Sequence, residues 1–171
     1  MFKNFKTKNK LQKGFTIIEV MIVLAIAGLI LVVVLVAIPQ LQRNQRNNAR
    51  QSIAARITTE VSNFAGNNNG TIPLANTNDT AGNFGSATTQ NNSFVGRYLS
   101  DVNIDDPSTG DTVVFATPAT GAATNTVEQG EVEYRTGAQC GIDGAADSGT
   151  NRSFTIRMGL EGGITYCLDN Q

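Results

Sequence analysis

The sequence has no histidine and no tryptophan, and it has only two cysteines and four prolines in 171 residues. Without histidine the chain cannot form a Ser-His or Cys-His catalytic pair, and it has no imidazole ligand for a metal. Two cysteines are too few for a zinc site of four thiolates, and no glycine-rich P-loop is present. The sequence therefore predicts a protein that is not an enzyme and that holds no metal or cofactor.

Lysine is absent from most of the chain. All five lysines precede Gly14, with no acidic residue among them: Lys3, Lys6, Lys8, Lys10 and Lys13. From Phe15 onward there are eight arginines and fourteen acidic residues, and residues 67–171, with four arginines and twelve acidic residues, make a poor surface for the phosphates of nucleic acid. A lysine block before an apolar run holds the N-terminus in the cytoplasm and directs the following residues across the membrane. We therefore expect a basic leader on an otherwise acidic, exported protein.

One long apolar run follows the lysines. Residues 15–38 read FTIIEVMIVLAIAGLILVVVLVAI, and Glu19 is their one ionisable side chain. As a helix this run extends about 36 Å, enough to cross the hydrocarbon core of a membrane. A secretory signal peptide fits poorly, because the run ends in LVAIPQ rather than in an A-x-A cleavage site. A plain membrane anchor accounts for the run, but it gives no reason for Glu19 unless that side chain snorkels to the headgroups.

The stretch KGFTIIEVMIVLAIAGLI resembles the class III signal of type IV prepilins, the subunits of pili and of type II secretion pseudopili. The resemblance implies that a prepilin peptidase cuts between Gly14 and Phe15 and then methylates the new amine of Phe15. It also implies that Glu19 of an incoming subunit pairs with the N-terminus of a subunit already in the filament. Gly14 has no side chain, so an extended backbone can enter a peptidase cleft at this position.

The same resemblance implies a function and a set of partners. The chain would be a pilin, stored in the cytoplasmic membrane with its N-terminus in the cytoplasm and later exposed on the cell surface in a helical homo-oligomer. Its other partners would be prepilin peptidase, an inner-membrane assembly platform and minor pilins, while adhesion, twitching motility and DNA uptake stay open. A pseudopilin of a type II secretion or competence system shares these N-terminal features. A membrane-anchored extracytoplasmic binding domain that never polymerises is the other alternative.

Residues 39–66 continue the helix with a different pattern. After Leu41 the sequence is polar apart from one stripe at helical spacing, formed by Ile53, Ile57, Val61 and Phe64. An amphipathic stripe of this kind predicts packing against a globular domain. The arginines of this half are expected on the solvated surface of the helix: Arg43, Arg46, Arg50 and Arg56.

Gly28 and Pro39 interrupt the predicted helix. Proline lacks a backbone donor and clashes with the preceding turn, so a kink or local melting is expected near residues 34–38. The two positions resemble the glycine and proline that bracket the segment melted in many assembled pili, although Pro39 lies later than is usual in that family. We expect the helix to be flexible between them in a filament.

The rest of the chain predicts loops and then strands. Residues 67–111 are a loop-rich connection, whose turn acids Asp105, Asp106 and Asp111 are expected to be solvated. Residues 112–171 predict an antiparallel sheet, with strand candidates at 112–117, 130–136, 153–160 and 163–168. The stretch SFTIRMGL alternates apolar with polar or small residues, which indicates a sheet with one buried face. The expected fold class is α+β, a long N-terminal helix packed on a small antiparallel sheet.

Cys140 and Cys167 are both in the exported part. Two cysteines in an oxidising compartment more often bond than stay free, and the span between them resembles the C-terminal disulfide loop of many pilins. Closing a loop of about 27 residues stabilises the fold by roughly 3.5 kcal/mol through loop-closure entropy. Two buried free thiols are the alternative.

Overall fold

A computed structural model describes residues 14–78, 80–85 and 92–171. The predicted leader, residues 1–14, lies outside these residues apart from Gly14. The described chain divides into two compact units, one ending at Leu41 and one spanning Gln42–Gln171. Helix α1, Ile17–Asn67, contributes residues to both.

The first unit is the apolar part of α1. An 18-residue window of this helix has a mean hydropathy of 3.4, and none of that window is buried. By length and composition the helix can cross a membrane. Its large apolar side chains are exposed from Phe15 to Leu41, so the described residues of this unit form no apolar core among themselves.

The chain is helical through Gly28 and Pro39. Residues 34–38, where a kink or local melting is expected, all lie within α1. Pro39 has no N–H to donate to the carbonyl oxygen of Leu35, so one bond of the helical ladder is missing there. The flexibility expected of this stretch in a filament stays a prediction.

The second unit combines the rest of α1 with short strands. Its strands among the described residues are β1 (Val114–Phe115), β2 (Ala119–Thr120), β3 (Glu131–Thr136), β4 (Ala138–Cys140), β5 (Ala146–Ser148), β6 (Phe154–Gly159) and β7 (Thr165–Asp169). The main sheet has the order β1-β3-β6-β7 with β2 also on β3, while β4 and β5 form a separate hairpin. A π-helical turn, Val95–Leu99, and a 3-10 turn, Ile142–Gly144, complete the elements. The architecture is α+β, as predicted.

The sheet is mixed rather than wholly antiparallel. β3, β6 and β7 pair antiparallel as expected, but β1 and β2 both run parallel to β3. Phe115 and Ala119 are four positions apart on this edge, whereas their partners on β3, Val132 and Arg135, are three positions apart. One extra residue next to Pro118 is tolerated because the strand lies at the sheet edge. Periodicity in the sequence does not encode whether two strands pair parallel or antiparallel. Here the pairing is parallel because residues 121–130 run back past β2 before β3 begins.

The turn between β6 and β7 closes a tight antiparallel hairpin. The N–H of Leu160 donates to the carbonyl oxygen of Ile164 at 2.8 Å. Gly162 and Gly163 have φ angles of 94° and 74°, in the left-handed region that favours glycine. The turn therefore presents Glu161 at one end of the sheet.

One apolar core lies between α1 and the sheet. The predicted stripe is buried, at Ile53, Ile57, Val61 and Phe64. It belongs to the same cluster as the inward side chains of β3 and β6, among them Val132, Tyr134, Ile156 and Met158. The ring of Phe84 stacks on Tyr134 with 4.2 Å between centroids, and the Tyr134 hydroxyl donates to the carbonyl oxygen of Pro73 at 2.7 Å. Burial raises the pKa of Tyr134, so the phenol stays protonated as a donor.

The second face of the sheet is also covered, which corrects the expectation of one buried face. All six residues of β6 are buried. The side chains that alternate with the core residues are polar, and they are Glu133, Arg135, Thr155 and Arg157. Residues 121–130, here called the strap, and the β4–β5 hairpin at residues 138–148, here called the lid, supply backbone groups to these arginines. The polar face of the sheet is therefore a buried layer of mostly charged side chains.

Candidate processing and assembly site

Residues 14–16 precede α1 and are not helical. Gly14 is exposed, and a Cβ added there would have no neighbour within 4 Å. The described chain therefore has no need of glycine at this position. A requirement for glycine has to come from another molecule, such as a peptidase that binds extended backbone closely.

Thr16 caps the N-terminus of α1. Its Oγ1 accepts a hydrogen bond from the N–H of Glu19 at 3.3 Å, and its carbonyl oxygen accepts one from the N–H of Val20 at 3.3 Å. Thr16 and Glu19 have the Thr-x-x-Glu spacing of a capping box, a signal that the sequence interpretation missed. The positive end of the helix dipole also favours a carboxylate in the first turn. The cap starts the helix at Ile17 and leaves the Gly14–Phe15 bond outside it.

The carboxylate of Glu19 lies beside an apolar groove on the helix surface. The groove has a volume of about 340 Å³, and its lining is Phe15, Glu19, Val20, Val23 and Leu24. The ion pairs among the described residues do not include Glu19. An unpaired carboxylate within a bilayer costs several kcal/mol.

Residues 9–35 match a family described as the prokaryotic N-terminal methylation motif. The chain carries the class III signal of type IV pilins. The matched residues include the end of the basic leader, the Gly14–Phe15 junction and Glu19, and the class III signal supports a pilin-like or pseudopilin protein. No curated protein and no solved structure matched the chain.

The predicted site residues of the class III signal lie at one end of α1. Gly14, Phe15 and Glu19 fall within the non-helical start and the first turn of the helix. Gly28 and Pro39 lie farther along the same helix, and a Cβ added at Gly28 would have no neighbour within 4 Å. A helical glycine costs up to about 1 kcal/mol relative to alanine, and no packing in the described chain repays that cost.

The arginines that follow the class III signal are not a simple solvated face. Arg50 is 0% exposed, and its Nε and Nη2 donate to the two carboxylate oxygens of Asp106 at 2.7 and 3.0 Å. Its Nη1 donates to Glu161 at 3.3 Å, and Arg46 donates two further hydrogen bonds to Glu161. The expectation of solvation is therefore wrong for Arg50 and Asp106. The fold brings these two residues together although 56 positions separate them in the sequence.

The arginines keep both carboxylates of this ion cluster charged. Hydrogen bonds from Arg46, and then from Arg50, lower the pKa of Glu161 to about 2. Burial alone would raise the pKa of Asp106, but the hydrogen bonds from Arg50 and from the backbone of Ser108 lower it overall. Among the described residues, no group of three His, Cys, Asp or Glu side chains is placed to hold a metal ion. Asp106 thus serves as the partner of a buried arginine.

Cys140 and Cys167 form a disulfide, with their Cα atoms 5.7 Å apart. It joins β4 of the lid to β7 at the edge of the main sheet. Cys167 lies opposite Arg157 in the β6–β7 register, so the disulfide is on the polar face of the sheet.

Proposed function

We propose that this chain is a structural subunit of a type IV pilus. Prepilin peptidase cleaves it between Gly14 and Phe15 and methylates Phe15. Until assembly it is held in the cytoplasmic membrane by residues 15–38, with its N-terminus in the cytoplasm. Glu19 of each incoming subunit then pairs with an N-terminal amine at the filament base, and the apolar helices form the filament core.

The observation that carries this proposal is the class III signal at the start of a helix whose apolar first part is exposed. Such a surface needs lipid before assembly and the helices of neighbouring subunits afterwards. Since all five lysines precede Gly14, cleavage would leave the α-amine of Phe15 as the one amine of the mature chain. The cleavage that removes the leader therefore also creates the cation that Glu19 lacks.

Assembly through the class III signal also defines the proposed partners. They are further copies of this chain, prepilin peptidase, the inner-membrane assembly platform and minor pilins. A pseudopilin would carry the same signal. The two functions are therefore distinguished by how much of this chain is found in surface filaments. This chain should be the main protein of sheared surface filaments if it is a major pilin.

The proposal is tested by intact and N-terminal mass spectrometry of the chain purified from its host. We expect a mature chain that begins at Phe15 and carries one added methyl group. Gly14→Val is the matched variant, because no described atom would contact the added Cβ and the fold should be unaffected. It should accumulate with its leader attached. A wild-type chain that keeps residues 1–14, or that is cut after residue 38, would exclude the proposed processing.

A further inference from the structure

Three charged side chains are enclosed on the polar face of the sheet. Glu133 lies between Arg135 and Arg157, accepting a hydrogen bond from Arg135 at 2.7 Å and another from Arg157. Glu133 and Arg157 are opposite each other in the β3–β6 register, and Arg157 is 1% exposed. Burying three charges is costly unless each is hydrogen-bonded. The remaining donors of the two arginines therefore need acceptors from the segments above them.

The strap and the lid supply these acceptors in different ways. Arg135 donates to the carbonyl oxygens of Thr120, Gly121 and Ala122, which lie in β2 and at the start of the strap. Arg157 donates to the carbonyl oxygen of Asn125 in the strap and to that of Gly144 in the lid, the latter at 2.8 Å. The lid therefore provides one of the contacts that close the cluster.

Apart from the disulfide, the lid is held to the sheet by hydrogen bonds, among them one from Gln171 to Gln139 at 3.3 Å, and by the close approach of Gly144 to the backbone of Thr165. The N–H of Cys140 donates to Oδ2 of Asp169 at 2.8 Å, and Ala123 of the strap exchanges two backbone hydrogen bonds with Ala146. The buried apolar side chains of the lid are two alanines, Ala138 and Ala146. Its one large apolar side chain, Ile142, is 85% exposed. The lid thus gains little from hydrophobic burial, which depends on the apolar area removed from water.

Opening the lid would also cost less free energy than separating α1 from the opposite face of the sheet. The apolar core, including Tyr134 and Ile156, packs toward α1 on the opposite face and does not depend on the lid. The charges under the lid would regain hydration once water entered, which offsets part of the lost hydrogen bonding. Segments with few apolar contacts open locally at lower free energy than the core.

We propose that the lid is a redox-gated cover, which the Cys140–Cys167 disulfide keeps closed over Arg157 of the buried charge cluster. A dithiol reductant opens it by thiol–disulfide exchange. Its thiolate attacks one cysteine sulfur, the mixed disulfide resolves, and two cysteine thiols form while the reductant becomes a disulfide. Loss of the bond releases the lid and the adjoining end of the strap, while the core and the pair formed by Arg50 and Asp106 stay intact.

Hydrogen exchange measured by mass spectrometry tests this on the full mature chain in detergent. The oxidised chain is compared with the same chain in dithiothreitol, and intact mass verifies two thiols in the reduced sample. We expect exchange of peptides covering residues 138–148 to rise by up to about 400-fold, the factor that corresponds to the roughly 3.5 kcal/mol by which a disulfide of this loop length stabilises the fold. Peptides covering β3, β6 and the buried stripe of α1 should keep their protection.

The double variant Cys140→Ser with Cys167→Ser should show the same local pattern without reductant. Exchange that rises together in the lid, the sheet and α1 would overturn the proposal, because the disulfide would then hold the whole unit. Unchanged exchange of the lid in the reduced chain would overturn it as well, because the other contacts would then be sufficient.

Discussion

At the scale of single residues, charged side chains of the second unit act as internal connectors. Arg50 is fully buried, and its bonds to Asp106 and Glu161 join α1 to the 105–111 turn and to the β6–β7 turn. The N–H of Glu161 also donates to Oδ1 of Asn47 at 2.9 Å. Removing one member of a buried pair leaves an uncompensated charge, which costs more than the pair contributes when intact.

We therefore expect Arg50→Ala to destabilise the second unit by about 3–5 kcal/mol, since it leaves the buried Asp106 without its main partner. Urea denaturation of the detergent-solubilised chain, followed by circular dichroism, measures this effect. Arg56→Ala is the matched control on the same helix, because Arg56 is exposed and makes one hydrogen bond, to Asn103. Its effect should stay within about 0.5 kcal/mol. Equal effects of the two substitutions would contradict the connecting role of Arg50.

At the scale of elements, α1 is one helix with two kinds of surface. Its residues as far as Leu41 expose apolar side chains on all sides, whereas its later residues bury a single stripe. Surface helices show one apolar face, and a helix that is apolar all round belongs in lipid or in a larger assembly. The helix therefore joins an apolar part that is long enough to cross a membrane to a part that packs within the second unit.

The charge near the N-terminus of α1 gives the prediction at this scale. We expect Glu19→Ala to leave cleavage at Gly14 intact and to lower the yield of sheared pili by at least about tenfold, the effect of losing roughly 1.4 kcal/mol from an assembly contact. Glu60→Ala, on the second half of the same helix, should leave the yield unchanged. Immunoblots of sheared and cell-bound fractions provide the measurement, and abundant normal pili from Glu19→Ala would refute the assembly role.

At the scale of the whole molecule, the chain from Phe15 onward is acidic, and its stability should depend on its ionised carboxylates. The pKa of Glu161 is lowered to about 2 and that of Asp106 is also lowered, each by arginine partners. A carboxyl whose pKa is lower in the folded than in the unfolded state contributes stability above its unfolded value, near 4, and loses it as pH falls toward the folded value. The ion cluster should therefore weaken in acid and remain constant near neutral pH.

We expect the urea midpoint of the mature chain to fall steadily between about pH 5 and pH 2. Glu161→Gln should be less stable than the wild type at neutral pH, and it should lose less on acidification because one of the shifted groups no longer titrates. Glu128→Gln is the control, since Glu128 is exposed and takes no part in the ion pairs among the described residues. A midpoint in Glu161→Gln with the full wild-type dependence on pH would show that the cluster does not carry the effect.

Sequence patterns predicted the elements whose periodicity is strong. The stripe from Ile53 to Phe64 predicted the buried face of α1, and alternation predicted β6 with its inward side chains. The lid was missed because its strands, AQC and ADS, are too short and too rich in small or polar residues to give a strand signal. The expectation of one buried face was wrong at Arg157, since alternation reports which side chains share a face and not what covers that face.

The sequence by itself determined the features that depend on neighbouring residues. These are the lysine leader, the class III signal with Gly14, Phe15 and Glu19, the length of the apolar helix and the stripe that follows it. The tertiary structure alone decided which charges are buried together, that β1 and β2 run parallel to β3, and that a lid and a strap close the polar face. The physical reason is the sequence separation between the residues that are in contact. Arg46 and Glu161 are 115 positions apart, and contacts of that kind depend on the path of the whole chain rather than on any local pattern.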